Sequence, residues 1–266
     1  MSPVRVERRG IALHVLLTRP ERRNALTQET MEALLAAFQD AKESDARAVV
    51  LRGEGGQFSA GGDMSMLGDI PPPADPDPLF PVYRRMGHVL ELLNALPQAV
   101  IAVVEGACTG GGLGMACCSD VVIVSEDAKI GLPEARSGFI PAQVIPHIVR
   151  RMGEGWTRRL VATGAILDGR AALRDGLAHI LVSGREEADR ALAEVLEQVR
   201  RSEPTAVAEA KRLVISASDR PVNETLDDAA RTIAALLRAP AARAGIDAFR
   251  NKRPPPWAER PSSSRL

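Results

Sequence analysis

The chain has 266 residues (28.4 kDa), 45% of them hydrophobic and 26% charged, enough for one sizeable core or a core with a helical appendage. A formal net charge of +0 and a pI of about 6.9 leave no electrostatic footprint for nucleic acid or an anionic membrane, so any anionic ligand has to be met by local basic residues. No apolar run reaches the length of a membrane span, and Arg5 and Glu7 stand where a secretory signal needs its apolar stretch, so no membrane association and a cytoplasmic location are expected.

Ile11 to Leu17 reads as a strand, and Arg19-Pro20-Glu21-Arg22-Arg23-Asn24-Ala25-Leu26 as a polar loop. Thr27 is placed as a helix cap, with Met31, Leu34, Leu35 and Phe38 at helical spacing behind it, which predicts an amphipathic helix to about Lys42. A second strand, Ala48 to Leu51, feeds a glycine-rich turn that ends in Ala60-Gly61-Gly62-Asp63, with Asp63 set to cap the helical stretch beyond it. Gly68 to Pro81 is dense in proline and aspartate, which disfavours helix and strand pairing alike and predicts a mobile loop, either a lid over a site or a surface insertion. Tyr83 to Leu96 reads as a helix.

Val103 to Pro141 organises the rest. The apolar run Val100–Val104 leads to three consecutive glycines, Gly110 to Gly112, and then to a small-residue helical pattern from Leu113 to Ser119. A helix start leaves amide N–H groups without internal partners, and glycine lets the backbone approach a ligand, so such a turn can aim donors at an oxygen that becomes negative during a reaction. Gly131-Leu132-Pro133-Glu134 follows, with a carboxylate fixed by proline just past another apolar run. Each feature also has a plain reading, as a tight turn and as a surface acid. Neither G-x-G-x-x-G nor a G-x-x-x-x-G-K-[ST] phosphate loop occurs. Cys108, Cys117 and Cys118 form no C-x-x-C pair and read as reduced, buried small residues; the four histidines are scattered, and no metal is expected.

Helices are expected around Gln143–Arg151 and Trp156–Ala162, the second ended by Gly164, with a short strand at Ala178–Val182. From Glu186 onward helical patterns follow one another with no strand: Glu186–Arg201, Thr205–Ile215, Asn223–Leu237 and Ala241–Arg250. This predicts an α/β core over residues 1–200 and a helical region over 201–266, with a loosely ordered tail from Pro254.

Arg23-Asn24-Ala25-Leu26, Phe58 to Asp63, Glu105-Gly106 through Gly112, Cys118-Ser119-Asp120, Gly131 to Glu134, Ile140-Pro141, and Phe249 with Lys252-Arg253 form an ordered set. With them the chain resembles the crotonase (enoyl-CoA hydratase/isomerase) superfamily. The resemblance implies a spiral of ββα units with a C-terminal helical trimerisation region, assembled as a homotrimer or a dimer of trimers. It implies an acyl-CoA thioester as substrate, with coenzyme A entering as part of that substrate and no separate cofactor. Carried over by position, Gly62 and Gly111 supply the two amides that hold the thioester oxygen, with Gly110 and Pro133 beside the site. Arg22, Arg23, Ala25, Ala60, Asp63 and Met64 border the coenzyme A moiety, and Phe249 and Lys252 reach the coenzyme A of a neighbouring subunit.

Hydratases of the best-known type carry two catalytic glutamates, and the first of those positions is Gly114 here, which leaves Glu134 alone. One carboxylate has to accept a proton from water and return one to carbon, as a hydratase, or move a proton between carbons, as an isomerase. The pattern is similar to hydratases of branched glutaconyl-CoA esters, 3-methylglutaconyl or isohexenylglutaconyl, so hydration is the first expectation and Δ3,Δ2-isomerisation the second. Gly114, which removes a carboxylate and its volume, is expected to favour either isomerisation by Glu134 alone or a wider pocket for a branched, carboxylated acyl chain, with Arg136, Arg84 or Arg85 as counter-ion to a distal carboxylate. A non-catalytic RNA-binding trimer is disfavoured by the neutral charge and the 3% aromatic content, and a serine peptidase by the absence of evident partners for Ser59 and Ser119.

Overall fold

A computed structural model describes residues 2–67 and 70–259. The chain divides into two compact units, Met1–Glu194 and Val195–Leu266.

The first unit is built on a six-stranded sheet of β1 (Val4–Arg9), β2 (Ala12–Leu17), β3 (Ala48–Gly53), β4 (Ala99–Val104), β6 (Val121–Ser125) and β9 (Ile180–Val182), side by side in that order. Only the β1–β2 hairpin is antiparallel. Every residue of β3 and β4 is buried, as expected of parallel strands covered on both faces, and this is why AVVLRG and AVIAVV read as continuous apolar runs rather than alternating ones. β1 went unread in the sequence because its interior positions are mostly charged; Arg5, Arg8 and Arg9 sit on an edge strand and pair with Glu7, Glu54 or Asp45 at the surface.

Helix α1 (Gln28–Glu43) forms where expected: the Thr27 hydroxyl accepts from the Thr30 amide at 3.1 Å, and Met31, Leu34, Phe38 and Ala41 make the buried stripe. Helix α2 (Leu79–Asn94) starts earlier than the sequence suggests, taking in three residues assigned to the proline-rich loop. Pro81 falls in its first turn, where a missing N–H costs nothing because no intrahelical acceptor is available there. Residues 70–78 have no regular structure; the part of the loop expectation that falls on Gly68 and Asp69 lies outside the described residues.

A second, three-stranded sheet places β5 (Ala107–Thr109) against β7 (Lys129–Gly131), and β7 against β8 (Ile166–Leu167). Helix α3 (Gly111–Cys117) follows β5 directly. The two helices expected around 143–162 are the halves of α4 (Ile145–Thr163), joined through Gly153 at φ 79, ψ 163 and ended by Gly164 in the left-handed region. Helix α5 (Gly169–Arg174), capped by Asp168, was not anticipated. Where β3 and β4 end, Arg52 and Glu105 form a buried bidentate pair at 2.7 and 2.9 Å, which satisfies two charges that burial alone would penalise.

Helix α6 (Arg185–Arg201) crosses from the first unit into the second, which continues with α7 (Pro204–Ala217), α8 (Val222–Arg238) and α9 (Pro240–Arg250). In the tail up to residue 259, the Trp257 indole donates to the Arg201 carbonyl at 3.0 Å and Ala258 is buried. Residues 260–266 lie outside the described residues. Among the described residues no helix is long and apolar enough to cross a membrane.

Candidate active site

Two glycine-rich turns are stitched together at the ends of β3 and β5. Ser59 accepts from Thr109 through its carbonyl at 3.0 Å and donates its amide to Ala107 at 2.7 Å, so the segment before Gly62 runs parallel to β5. Gly61 has φ +81, and a Cβ there would lie 2.8 Å from the Thr109 carbonyl oxygen, so this approach is open to glycine alone. The Arg22–Ala25 loop fastens the same segment from the other side. Asn24, 1% exposed, donates to the carbonyls of Glu54 (3.0 Å) and Gln57 (2.5 Å), and its own side-chain oxygen accepts from the Arg19 amide.

Gly62 pairs with Leu26 in a parallel bridge in which Leu26 uses its N–H on Gly61 (2.7 Å) and its C=O on Asp63 (3.0 Å). In that arrangement the N–H and C=O of Gly62 itself point to the opposite side. Gly111 opens α3, so its amide is one of those a helix leaves without an internal partner. Both glycines line one cavity of about 600 Å³.

Glu134 lines the same cavity from a single helical turn, Glu134–Ser137, that begins at Pro133. Its Oε2 is buried and meets no hydrogen-bond donor among the described residues. Burial therefore holds the carboxyl above its ordinary value, only partly countered by its own backbone N–H. Gly110 explains how it comes so near Gly111: at φ 51, ψ −119 it turns the chain into α3, and a Cβ on it would stand 2.6 Å from Glu134 Oε1.

Of the other expected site residues, Arg23, Ala60, Asp63, Met64 and Pro133 line the cavity. The Asp63 carboxylate is already engaged by Arg19 (3.1 Å) and Ser65, which hold it below its ordinary range, with the Ser65 hydroxyl contributing most. Arg22 and Ala25 do not line it; Ala25 is buried, with its carbonyl accepting from Arg19. Phe249 and Lys252 belong to the C-terminal unit, where Phe249 is 85% exposed. The sequence reading missed Tyr83 and Met86 of α2, Lys129, and the 139–144 wall apart from Ile140 and Pro141. A spacing of i, i+3, i+4, i+7 from Leu79 was the signal available for the α2 wall.

Two expectations are corrected here. Gly114 does not widen the pocket: it is buried, and a Cβ there would lie 2.6 Å from Val144 Cγ1 and 3.2 Å from Leu90 Cδ1, so Val144 fills the place that a longer side chain would take. Gly114→Ala should therefore destabilise the fold by about 1–3 kcal/mol through overpacking, set against at most ~1 kcal/mol of helix propensity gained. A urea midpoint that moves up would contradict this. Of the candidate counter-ions, Arg84 pairs with Glu91 at 2.5 Å and Arg85 with Glu32, and neither lines the cavity; Arg136 does, and has no carboxylate partner among the described residues. Ser59 and Ser119, considered as nucleophiles, are buried hydroxyls that donate to backbone carbonyls of Asn24 and Met115. The three cysteines are buried and none is in a disulfide, with Cys117 pushed up to about 12 mainly by burial.

Residues 7–260 match the enoyl-CoA hydratase/isomerase family. The fold superposes on an enoyl-CoA hydratase/isomerase from Marinobacter aquaeolei with a TM-score of 0.93 at 36% identity, covering 97% of this chain and 100% of that one. Pseudomonas aeruginosa AtuE gives a TM-score of 0.90 at 39% identity with the same coverage. A carnitinyl-CoA dehydratase of Salmonella paratyphi A is 30% identical over 261 residues, 95% of this chain and 97% of its own. A family match over nearly the whole sequence, a shared fold, and a carboxylate set beside two glycine turns in one cavity lead to the same place: the chain belongs to the enoyl-CoA hydratase/isomerase family.

Proposed function

We propose that this protein adds water reversibly to a 2-enoyl-CoA thioester, with Glu134 as its one acid/base group. The observation that carries the reading is the buried, donor-free Oε2 of Glu134 in the cavity that Gly62 and Gly111 also line. Water adds through oxygen to C3 as Glu134 accepts its proton; the electron pair of the double bond moves to the thioester oxygen, which the Gly62 and Gly111 amides hold; the enolate then collapses as Glu134 returns the proton to C2. Arg23, Ala60 and Met64 border the coenzyme A arm, and Phe249 and Lys252 approach the coenzyme A of a neighbouring copy.

The finer substrate is a branched enoyl ester of glutaconyl type, supported by Arg136, an arginine of the cavity wall two residues beyond Glu134 with no carboxylate partner among the described residues. A second reading, Δ3,Δ2-enoyl-CoA isomerisation, is favoured by one observation: Val144 occupies the position from which a second carboxylate would act. Incubation with 3-methylglutaconyl-CoA, crotonyl-CoA and 3-hexenoyl-CoA, followed by mass analysis, separates the two. Uptake of one water by a 2-enoyl ester is expected; a shifted double bond in 3-hexenoyl-CoA with no hydration of either 2-enoyl ester would transfer the proposal to isomerisation.

A homotrimer or dimer of trimers belongs to the same proposal. Leu226, Ile233 and Leu237 on α8 and Phe249 on α9 are exposed by 53% or more in the single chain, large apolar side chains that contact with another copy would cover. Light scattering at micromolar concentration should give a mass at least three times that of one chain, and a monomer there would contradict it.

A further inference from the structure

The two turns that bring Gly62 and Gly111 to the cavity leave neighbouring strands, and their separation is set just beyond the strand ends. β3 and β4 pair in register as far as Arg52 and Val103, next to the buried Arg52–Glu105 pair, and pairing resumes at Ser59 and Cys108. Seven steps of chain on the β3 side, 52 to 59, therefore face five on the β4 side, 103 to 108, and the turn Glu54–Gly56 takes up the excess. The mismatch leaves a bulge where pairing resumes. In an undisturbed parallel ladder the Gln57 carbonyl would accept from the Ala107 amide, two residues before the Ser59 carbonyl accepts from Thr109 in the same way. That carbonyl is instead taken by Asn24 Nδ2 at 2.5 Å, and the Gln57 side chain supplies the missing acceptor, its Oε1 receiving the Ala107 N–H at 3.0 Å. The Phe58 amide, rather than that of Gln57, donates to the Glu105 carbonyl at 2.7 Å. Gly106 makes room for the carboxamide: it has φ +58, and a Cβ there would stand 2.6 Å from Gln57 Nε2.

Resting on the reading of the Gly62 and Gly111 amides as holders of the thioester oxygen, we propose that Gln57 is a positioning residue for that pair: its carboxamide stands in for a backbone carbonyl at the bulge and so sets how the two turns lie against each other. Gln57 does not line the cavity, whereas Ala107, Thr109 and Gly111 do, so it acts through the chain it holds and not on the substrate. The Ser59 N–H donates to Ala107 and the Ser59 carbonyl accepts from Thr109; both bonds sit on one residue and form a pivot between the turns. The bonds of Gln57 and Phe58 lie one step behind that pivot and fix the angle about it. Of these four bonds only the one from Gln57 is made by a side chain, so it alone is removable by substitution with the backbone left whole. A catalytic donor has to be held within about 0.5 Å of its working geometry, so a small rotation about Ser59 is enough to spoil the shared aim of the two amides.

The test reads the thioester oxygen directly. Butyryl-CoA, which has no double bond to hydrate, is labelled with carbon-13 at the thioester carbon, and its carbonyl stretch is recorded by difference infrared spectroscopy free and bound to the protein. Two N–H donors should draw the bound stretch to lower frequency in the unaltered protein. Gln57→Met keeps the length of the side chain and removes the acceptor; it should lose at least half of that displacement and lower kcat for crotonyl-CoA hydration about ten- to a hundredfold, with KM moved little. Gln57→Glu keeps an oxygen for the Ala107 N–H and should retain both the displacement and most of the rate. A full displacement in Gln57→Met, or equal losses in the methionine and glutamate variants, would overturn the role of Gln57 and leave the amide reading standing. No displacement in the unaltered protein would instead remove the amide reading on which the proposal rests. If Gln57→Met does not fold, Gln57→Ala, which leaves room for a water on the Ala107 N–H but no tie to residue 57, is read in the same way.

Discussion

Glu134→Gln should lower kcat by about 10²–10⁴-fold, the range over which a positioned acid/base group contributes, with circular dichroism unchanged and KM moved little. The substitution keeps the shape of the side chain and its packing beside Gly110, and removes only the capacity to take and return a proton. Its effect on stability has the opposite sign to its effect on rate. The carboxyl is raised above its ordinary value in the folded protein, so the unfolded chain ionises first as pH rises; stability is lost progressively from the ordinary carboxylate value upward, and the full penalty stands at every pH above the raised one. At neutral pH the neutral amide escapes that penalty, and the melting temperature of Glu134→Gln should equal or exceed that of the unaltered protein. The kcat/KM of the unaltered protein should fall with decreasing pH through a value above 4.5, and that limb should be missing in the variant. A variant that keeps near-normal turnover would end the assignment; one that is inactive and also less stable would point to a structural rather than an acid/base role.

The elements of the core were legible where one force set the pattern. The Thr27 cap and the Met31, Leu34 and Phe38 spacing needed only helix geometry, and β3 and β4 needed only burial on both faces. What escaped notice was set by distant partners. β5 is three residues long and exists because Ser59 and β7 bond to it, which no local propensity announces. The length of α2 was obscured by Pro81, a helix breaker everywhere except in the first turn it occupies. Around the candidate site the glycines and Glu134 stand out as residue types in an order, and the cavity brings them together. The meaning of Gly114 could not be read in the same way. A missing carboxylate suggests missing volume, yet Val144, thirty residues away in sequence, takes up the space, and only the packed structure reveals that exchange.

Gly111→Pro should lower kcat by about 10²–10³, the loss of ~2.7–4 kcal/mol that follows removal of one backbone donor to a developing oxyanion. The variant is unusually clean, because Gly111 is the first residue of α3 and proline is favoured at that helix position, where its fixed φ suits the helix and its missing N–H breaks no helical bond. The residue before it, Gly110, has no Cβ to collide with the proline ring, which removes one of the two clashes, with Cβ and with the backbone N–H, that restrict a residue preceding proline. A side chain at 111 does meet Leu26 Cδ1 at 2.8 Å and Met86 Cε at 3.3 Å, so bulk must be separated from the lost donor. Both atoms are the ends of flexible side chains, and Gly111→Ala places the same Cβ while keeping the N–H. The alanine variant should therefore retain most of the rate, and the proline variant, with a matching circular dichroism spectrum, should not. Equal losses in the two would assign the effect to crowding at Leu26 and Met86; a folded proline variant with full activity would remove the Gly111 amide from the mechanism and leave the thioester oxygen to Gly62 alone.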